Sequence, residues 1–193
     1  MSQSALTALD LADPAEVACF QGRAVCLREL QASDRDRIQA LLSQVDPSDL
    51  QMRFFGLFRE VPRTLLDQLM RVDPAERLTV AAVREHGVDN HPAEILGVAR
   101  AHRTAADSAE AALLVRSDLK GAGLGSLLLG RLIAQCRNWG LSRISAEVLP
   151  DNSRMLHLAK RYGFRCESLQ EDHCHLVLEL GQHGSSHEPS AHA

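Results

Sequence analysis

Three glycines at alternate positions, Gly121, Gly123 and Gly125, lie between a short apolar run and an amphipathic one. They constrain this chain more than any other feature. The run Ala111 to Val115 reads as a strand, Lys120-Gly121-Ala122-Gly123-Leu124-Gly125 as a tight loop, and the segment that follows as a helix. With Cβ atoms missing from one side of the loop, successive backbone N–H groups can converge on an anion at a helix N-terminus. Such a loop holds a diphosphate without a run of lysines. A dinucleotide-binding fingerprint is G-x-G-x-x-G early in a βαβ unit; here the spacing is G-x-G-x-G, past the middle of the chain. A Walker loop ends in Gly-Lys-Ser/Thr, and Gly125-Ser126 lacks the lysine. A different phosphate carrier remains, or a glycine-rich helix start that binds nothing.

The 193 residues suit one domain with a substantial core, and 45% hydrophobic content is ordinary for one. No stretch approaches the ~20 continuous apolar residues of a membrane span. The start Met1-Ser2-Gln3-Ser4-Ala5-Leu6 lacks the basic and apolar parts of a signal peptide. A soluble cytoplasmic protein without a membrane partner is expected. The net charge of −4 argues against nucleic acid and suits a basic substrate. The five cysteines (Cys19, Cys26, Cys136, Cys166 and Cys174) show no C-x-x-C spacing and read as reduced thiols, mostly small core residues.

Residues 1–22 have weak periodicity and read as an irregular lead-in. Arg23 to Leu30 alternates as an edge strand, and Ser33-Asp34 caps a helix carrying Ile38, Leu41, Leu42 and Val45. A short helix restarts at Asp46-Pro47 and ends near Phe54-Phe55-Gly56; another begins at Pro62 with Leu65, Leu66, Leu69 and Met70. Leu78 to Val83 and Ile95 to His102 are strands around a hairpin loop at 86–90, and Thr104 to Ser108 turns into Glu110–Val115. After the loop helix, Arg143 to Leu149 is a strand, a helix runs from about Ser153 to Arg161, and a strand follows Phe164. Asp172 to Leu180 is the last. The tail 181–193, with His183, His187 and His192, should be disordered. Strands first, then helix-linked strands, make one mixed α/β sheet.

The loop resembles the acetyl-CoA loop of the GNAT acyltransferases, Arg/Gln-x-x-Gly-x-Gly/Ala, with Lys120 in the first place. That family also places an asparagine at the start of the next helix and a Gly-Phe pair at its end. Asn152 and Gly163-Phe164 match both. Ala109-Glu110-Ala111-Ala112, Val115 to Gly121, Leu158 to Phe164 and Ser48 to Gly56 look like the acyltransferase domain of bacterial protein lysine acetyltransferases. Many of those enzymes are fused to an acyl-CoA-synthetase-like domain absent here, which implies a stand-alone or truncated version. The resemblance covers roughly 23–180, taken as one GNAT domain. It implies a GNAT fold: α/β, with a mixed, mostly antiparallel central sheet flanked by helices. Its cosubstrate would be acetyl-CoA, with no metal.

Amine acetylation needs a fixed thioester and an amine that has lost a proton. With a lysine pKa near 10.4, about one part in 10³ is neutral at physiological pH, a handicap of roughly 4 kcal/mol that a positioned base removes. Glu110 matches the family's base position, against the plain reading of an exposed strand-end carboxylate. By the same resemblance, the backbones of Leu114, Val115 and Arg116 meet the pantetheine arm. The N–H groups of Gly121, Ala122, Gly123, Leu124, Gly125 and Ser126 face the diphosphate. Lys120 adds charge or is simply solvated, and Asn152 bonds the pantetheine amide or caps its helix. The family's leaving-group tyrosine, in a Leu-Tyr pair, here reads Leu158-Ala159, and Tyr162 reads as packing, so no general acid is identified. No cysteine stands near a recognisable base, which favours direct attack. His173 and His175 share one side of a strand and Cys174 the other, so they read as a surface pair rather than metal ligands.

Three functions stay open. One is a protein lysine acetyltransferase, with an AMP-forming acyl-CoA synthetase as the target the resemblance implies. The second is a small-molecule amine N-acetyltransferase, and the third a non-catalytic acetyl-CoA-binding module.

Overall fold

A computed structural model describes residues 15–54, 63–71, 73–85, 93–169 and 172–181. Strands β1 (Glu16–Phe20) and β2 (Arg23–Glu29) precede α1 (Arg35–Ser43), α2 (Pro47–Phe54) and α3 (Arg63–Leu69). Strands β3 (Arg77–Arg84), β4 (Glu94–Ala105) and β5 (Ser108–Val115) lead to α4 (Leu124–Asn138) and β6 (Arg143–Val148). Helix α5 (Ser153–Arg161), β7 (Arg165–Leu169) and β8 (Cys174–Glu179) complete the order.

The eight strands form one sheet in the order β1-β2-β3-β4-β5-β6-β8-β7. Neighbours are antiparallel except β5 and β6. That parallel pair is forced by α4, the crossover helix between them. Its pairing is brief: Ser108 with Arg143, Ala109 with Ile144 and Glu110 with Ser145. Beyond that rung β5 runs on to Val115 and β6 to Val148 without pairing to each other, so the sheet opens into a V.

Each face of the sheet carries its own core. Leu124, Leu128, Leu129, Leu132, Ile133 and Cys136 recur on one stripe of α4 and pack with Ala99, Ala111, Ile144 and Leu176. On the other face Ile38, Leu41 and Leu42 of α1, Leu50 of α2 and Leu65, Leu66 and Leu69 of α3 cover Ala81, Val98 and Leu114. Arg100 of β4 fixes α3: its guanidinium donates to Thr79 Oγ1 at 3.0 Å, to the Gln68 carbonyl at 2.7 Å and to the Leu69 carbonyl. Burial, with Arg53 and Arg77 nearby, pushes that guanidinium down to about 10, still protonated at neutral pH.

Two expectations change. The lead-in 1–22 contains β1, which pairs along its length with β2 through Gln21 and Gly22, both at positive φ (51° and 74°). Those angles suit the hairpin turn that matches strand twist, and they make β1 the edge in place of Arg23 to Leu30. Asp34 stands at the N-cap of α1, as expected, but its side chain makes no capping bond to the helix backbone. Its fully buried carboxylate instead takes Arg28 at 2.7 and 2.9 Å, Arg37 at 2.8 Å and the Gln31 N–H at 2.9 Å. Burial alone would raise this carboxyl, but the bonds from Arg28, Gln31 and Arg37 outweigh it and hold the pKa at about 2. The expected helix start at Pro62, the loop at 86–90 and the tail beyond Gly181 lie outside the described residues.

Candidate active site

The three glycines of the loop differ in what they do for the backbone. Gly121 and Gly123 adopt φ of +79° and +98°, the left-handed region, and Gly123 is the N-cap of α4. Among the described residues, no atom beyond its chain neighbours lies within 4 Å of where a Cβ on Gly123 would stand. Gly125 has an ordinary backbone and serves packing: a Cβ there would meet Leu113 Cδ2 at 3.2 Å and Leu158 Cδ2 at 3.4 Å. Six loop amides were expected to face an anion. The structure engages two of them, Ala122 N–H with the Leu119 carbonyl at 3.4 Å and Ser126 N–H with the Gly123 carbonyl at 3.0 Å. Those of Gly121, Gly123, Leu124 and Gly125 have no acceptor among the described residues. Four donors at the start of a fifteen-residue helix form an anion cradle.

This cradle opens into a cavity of about 770 Å³ that runs into the V between β5 and β6. Glu110, Leu114, Val115, Lys120, Gly121, Gly123, Gly125, Ser126 and Asn152 line it, as expected. Arg116, Ala122 and Leu124 do not. Leu124 is fully buried beneath α4. The Arg116 side chain reaches Glu94 Oε2 at 2.6 Å and Asp118 at 2.7 and 2.9 Å, and its amide bonds the Leu96 carbonyl at 3.0 Å. Lys120 holds both oxygens of Asp49 at 2.6 Å. Ser117 Oγ also donates to Asp49 and accepts from the Asp46 amide at 2.8 Å. The glycine-loop side of the cavity is thereby strapped to α2.

Glu110 sits on the last paired rung of β5, where the strands part. Side chains alternate along β5, so Leu113 and Val115 turn toward α4 while Glu110, Ala112 and Leu114 face the α1–α3 side. Glu110 is exposed and lines the cavity. Arg53 of α2 lines the same wall, its guanidinium 4.6 Å from the Phe54 ring centroid. Desolvation pushes Arg53 down to about 10 while Glu110 acts in the opposite sense. Arg53 therefore stays cationic at neutral pH.

On β6 the register puts Glu147 on the same side as Glu110. Glu147 lines the cavity, and the two histidines expected to be a surface pair both reach it: His175 Nδ1 lies 2.5 Å from Oε1 and His173 Nε2 3.3 Å from Oε2. Among the described residues no group of three His, Cys, Asp or Glu is placed to hold a metal ion.

Asn152 caps α5, accepting from the Met155 amide at 3.2 Å, which leaves its NH₂ free for the cavity it lines. Ala159 is fully buried, so the position lacks a proton donor. Tyr162 packs against the core, and its hydroxyl donates to the Ser126 carbonyl at 2.6 Å, which locks α5 to the first turn of α4. Burial pushes the Cys136 thiol up to about 12 and raises Cys174 as well, where Cys166 adds to the effect. Neither thiol is poised as a nucleophile.

Sequence reasoning missed Glu147, Arg53 and Asp49. No local pattern marks them; their partners stand 28, 57 and 71 residues away in Glu147–His175, Arg53–Glu110 and Asp49–Lys120.

Comparison with known proteins bears on what the cavity is for. Residues 46–164 match the Acetyltransferase (GNAT) family model. An acetyltransferase of Pseudomonas aeruginosa is 28% identical over 161 residues, covering 82% of this chain and 84% of that protein. Acetyltransferase Pat of Mycolicibacterium smegmatis is 34% identical over 116 residues, 60% of this chain but 34% of the relative. The crystal structure of the GNAT domain of S. lividans PAT superposes with a TM-score of 0.75 at 24% identity, covering 86% of this chain and 96% of that one.

Proposed function

The chain belongs to the GNAT acetyltransferase family, and from that premise we propose that it acetylates the ε-amine of a protein lysine by direct attack. As a family member it is an acetyl-CoA-dependent N-acetyltransferase. The target we assign is an AMP-forming acyl-CoA synthetase, which acetylation would switch off by removing the charge of its active-site lysine. The observation that carries this reading is the V between β5 and β6. Glu110 stands at its vertex and four free amides stand at its mouth.

Acetyl-CoA supplies the electrophile, a thioester carbonyl whose thiolate departs as nitrogen adds. The amides of Gly121, Gly123, Leu124 and Gly125 hold the diphosphate, and the unpaired edges of Leu114, Val115 and β6 align the pantetheine arm, with the Asn152 NH₂ on its amide. Glu110 takes one proton from the incoming ammonium, so that a neutral amine attacks the carbonyl carbon. The C–N bond forms, the C–S bond breaks, and the second amine proton balances the departing thiolate. Coenzyme A thiolate is a good leaving group, so the reaction proceeds without a side-chain acid at Ala159. The fit of the V to an extended arm supports this assignment, as does the likeness to the Pat proteins.

The test is incubation with labelled acetyl-CoA and purified acyl-CoA synthetase or, separately, a panel of small amines. Label on a synthetase lysine is expected. One observation favours a small acceptor: Arg53, cationic and half-buried on the cavity wall, suits an amine that also carries an acidic group. Label on such an amine, with none on protein, replaces the first reading with this one.

A further inference from the structure

Coenzyme A carries a ribose 3′-phosphate besides its diphosphate, and four amides in the loop and first residues of one helix are matched to a single phosphate group or a diphosphate. The second anionic site has to come from side chains. Among the residues lining the cavity, five can carry positive charge: Arg53, Lys120, Arg154, His157 and Arg161. Lys120 is clamped by both oxygens of Asp49. Arg53 lies on the α2 wall beside Glu110, at the acceptor side. The other three share one face of α5, at positions i, i+3 and i+7.

The placement of α5 gives that row its meaning. Leu158 closes on Gly125, and the Tyr162 hydroxyl bonds Ser126, so the second half of α5 lies against the anion cradle. Arg161 falls between these two anchors in sequence, one turn after Leu158 on the cavity side. Arg154 lies seven residues earlier on the same face, about 10 Å along the axis. Both side chains are exposed, and neither makes a hydrogen bond or ion pair among the described residues. His157 is tethered by Nδ1 to the Ser153 carbonyl at 2.7 Å. In a chain with more acidic than basic residues, two unpaired, planar guanidiniums on the wall of one cavity suit a multiply charged anion such as a phosphate.

We infer that Arg154 and Arg161 recognise the 3′-phosphate of the coenzyme, which makes this protein select CoA thioesters over their 3′-dephospho forms. The inference rests on the acetyl-CoA reading above. Isothermal titration of the full chain with acetyl-CoA and with 3′-dephospho-acetyl-CoA tests it, using wild type and the double variant Arg154→Gln/Arg161→Gln. Wild type should prefer acetyl-CoA by about tenfold or more, since charge-assisted bonds to phosphate are worth more than one tenfold step. The double variant should lose that preference while its affinity for the dephospho form stays within about threefold. Each single variant then apportions the preference between the two arginines. A wild type that does not distinguish the ligands overturns the inference, and so does a preference that survives in the double variant. A wild type that binds neither ligand overturns the acetyl-CoA reading itself. Circular dichroism of the variants confirms that α5 is intact.

Discussion

The cavity has two walls made in different ways. The wall we assign to the coenzyme is built from main chain: a left-handed glycine N-cap, four unengaged amides and the bare edges of two parted strands. The acceptor wall is built from side chains, with Glu110, Arg53, Asp49 and Glu147 arriving from β5, α2 and β6. A main-chain site needs particular backbone angles, and those leave glycines at fixed spacing in the sequence. A side-chain site needs only that distant residues meet, which leaves no local mark. On our proposal the same difference sets what can vary: the first wall would fix the donor, and the second would be free to suit many acceptors.

The comparison can be broken most sharply at its meeting point. Glu110→Gln should keep acetyl-CoA affinity within about twofold and lower turnover by 10²–10⁴, roughly the range for losing a positioned base. Titration calorimetry beside a steady-state assay checks both halves, and an undiminished rate would remove Glu110 from the chemistry. On the main-chain wall, Gly123→Val places a β-branched residue at φ +98° and a side chain in the space kept for the anion. Acetyl-CoA affinity should fall by about tenfold or more, while Gly125→Ala, at an ordinary φ and crowding only the flexible ends of Leu113 and Leu158, should lose far less.

A third change concerns the scaffold of the acceptor wall. Asp34→Ala leaves Arg28 and Arg37 without their shared carboxylate and should destabilise the fold by roughly 3 kcal/mol in urea unfolding. In wild type the Asp34 pKa falls on folding from 3.8 to about 2, so its stabilisation is complete above about pH 4. It is lost as the pH drops through 2. Acid-unfolding curves for wild type and variant should therefore converge over that window.

The smallest effect tests whether the walls are coupled. Asp49→Asn frees Lys120 from its clamp, and acetyl-CoA should bind a few-fold tighter as the lysine turns to the diphosphate. Tightening that disappears in Asp49→Asn/Lys120→Met assigns it to that lysine. Unchanged affinity in the single variant would mean that the strap has no say in coenzyme binding.

How much was legible follows the same line. The strands, the order of helices and the loop were readable because apolar periodicity and glycine spacing report local geometry. Strand β1 escaped because its pattern is mostly exposed and its partner is the strand it helps to form. Arg116 was expected to offer its backbone to the pantetheine arm and Lys120 to add charge at the loop or stay solvated, and the side chains of both hold carboxylates far away in sequence, Glu94 and Asp49. His175 lies in β8 and His173 just before it, and both reach Glu147, but nothing in the chain announced that this carboxylate waits on the neighbouring strand.

The three-rung seam between β5 and β6 has a mechanical side. Five strands on one flank and three on the other share only three parallel rungs, so the seam is the place where the sheet has fewest main-chain bonds to resist bending. A guest lying along both bare edges would serve as the missing strand, stiffening the joint as it fills. Saturation and rigidity then rise together, and an idle molecule is the softer one.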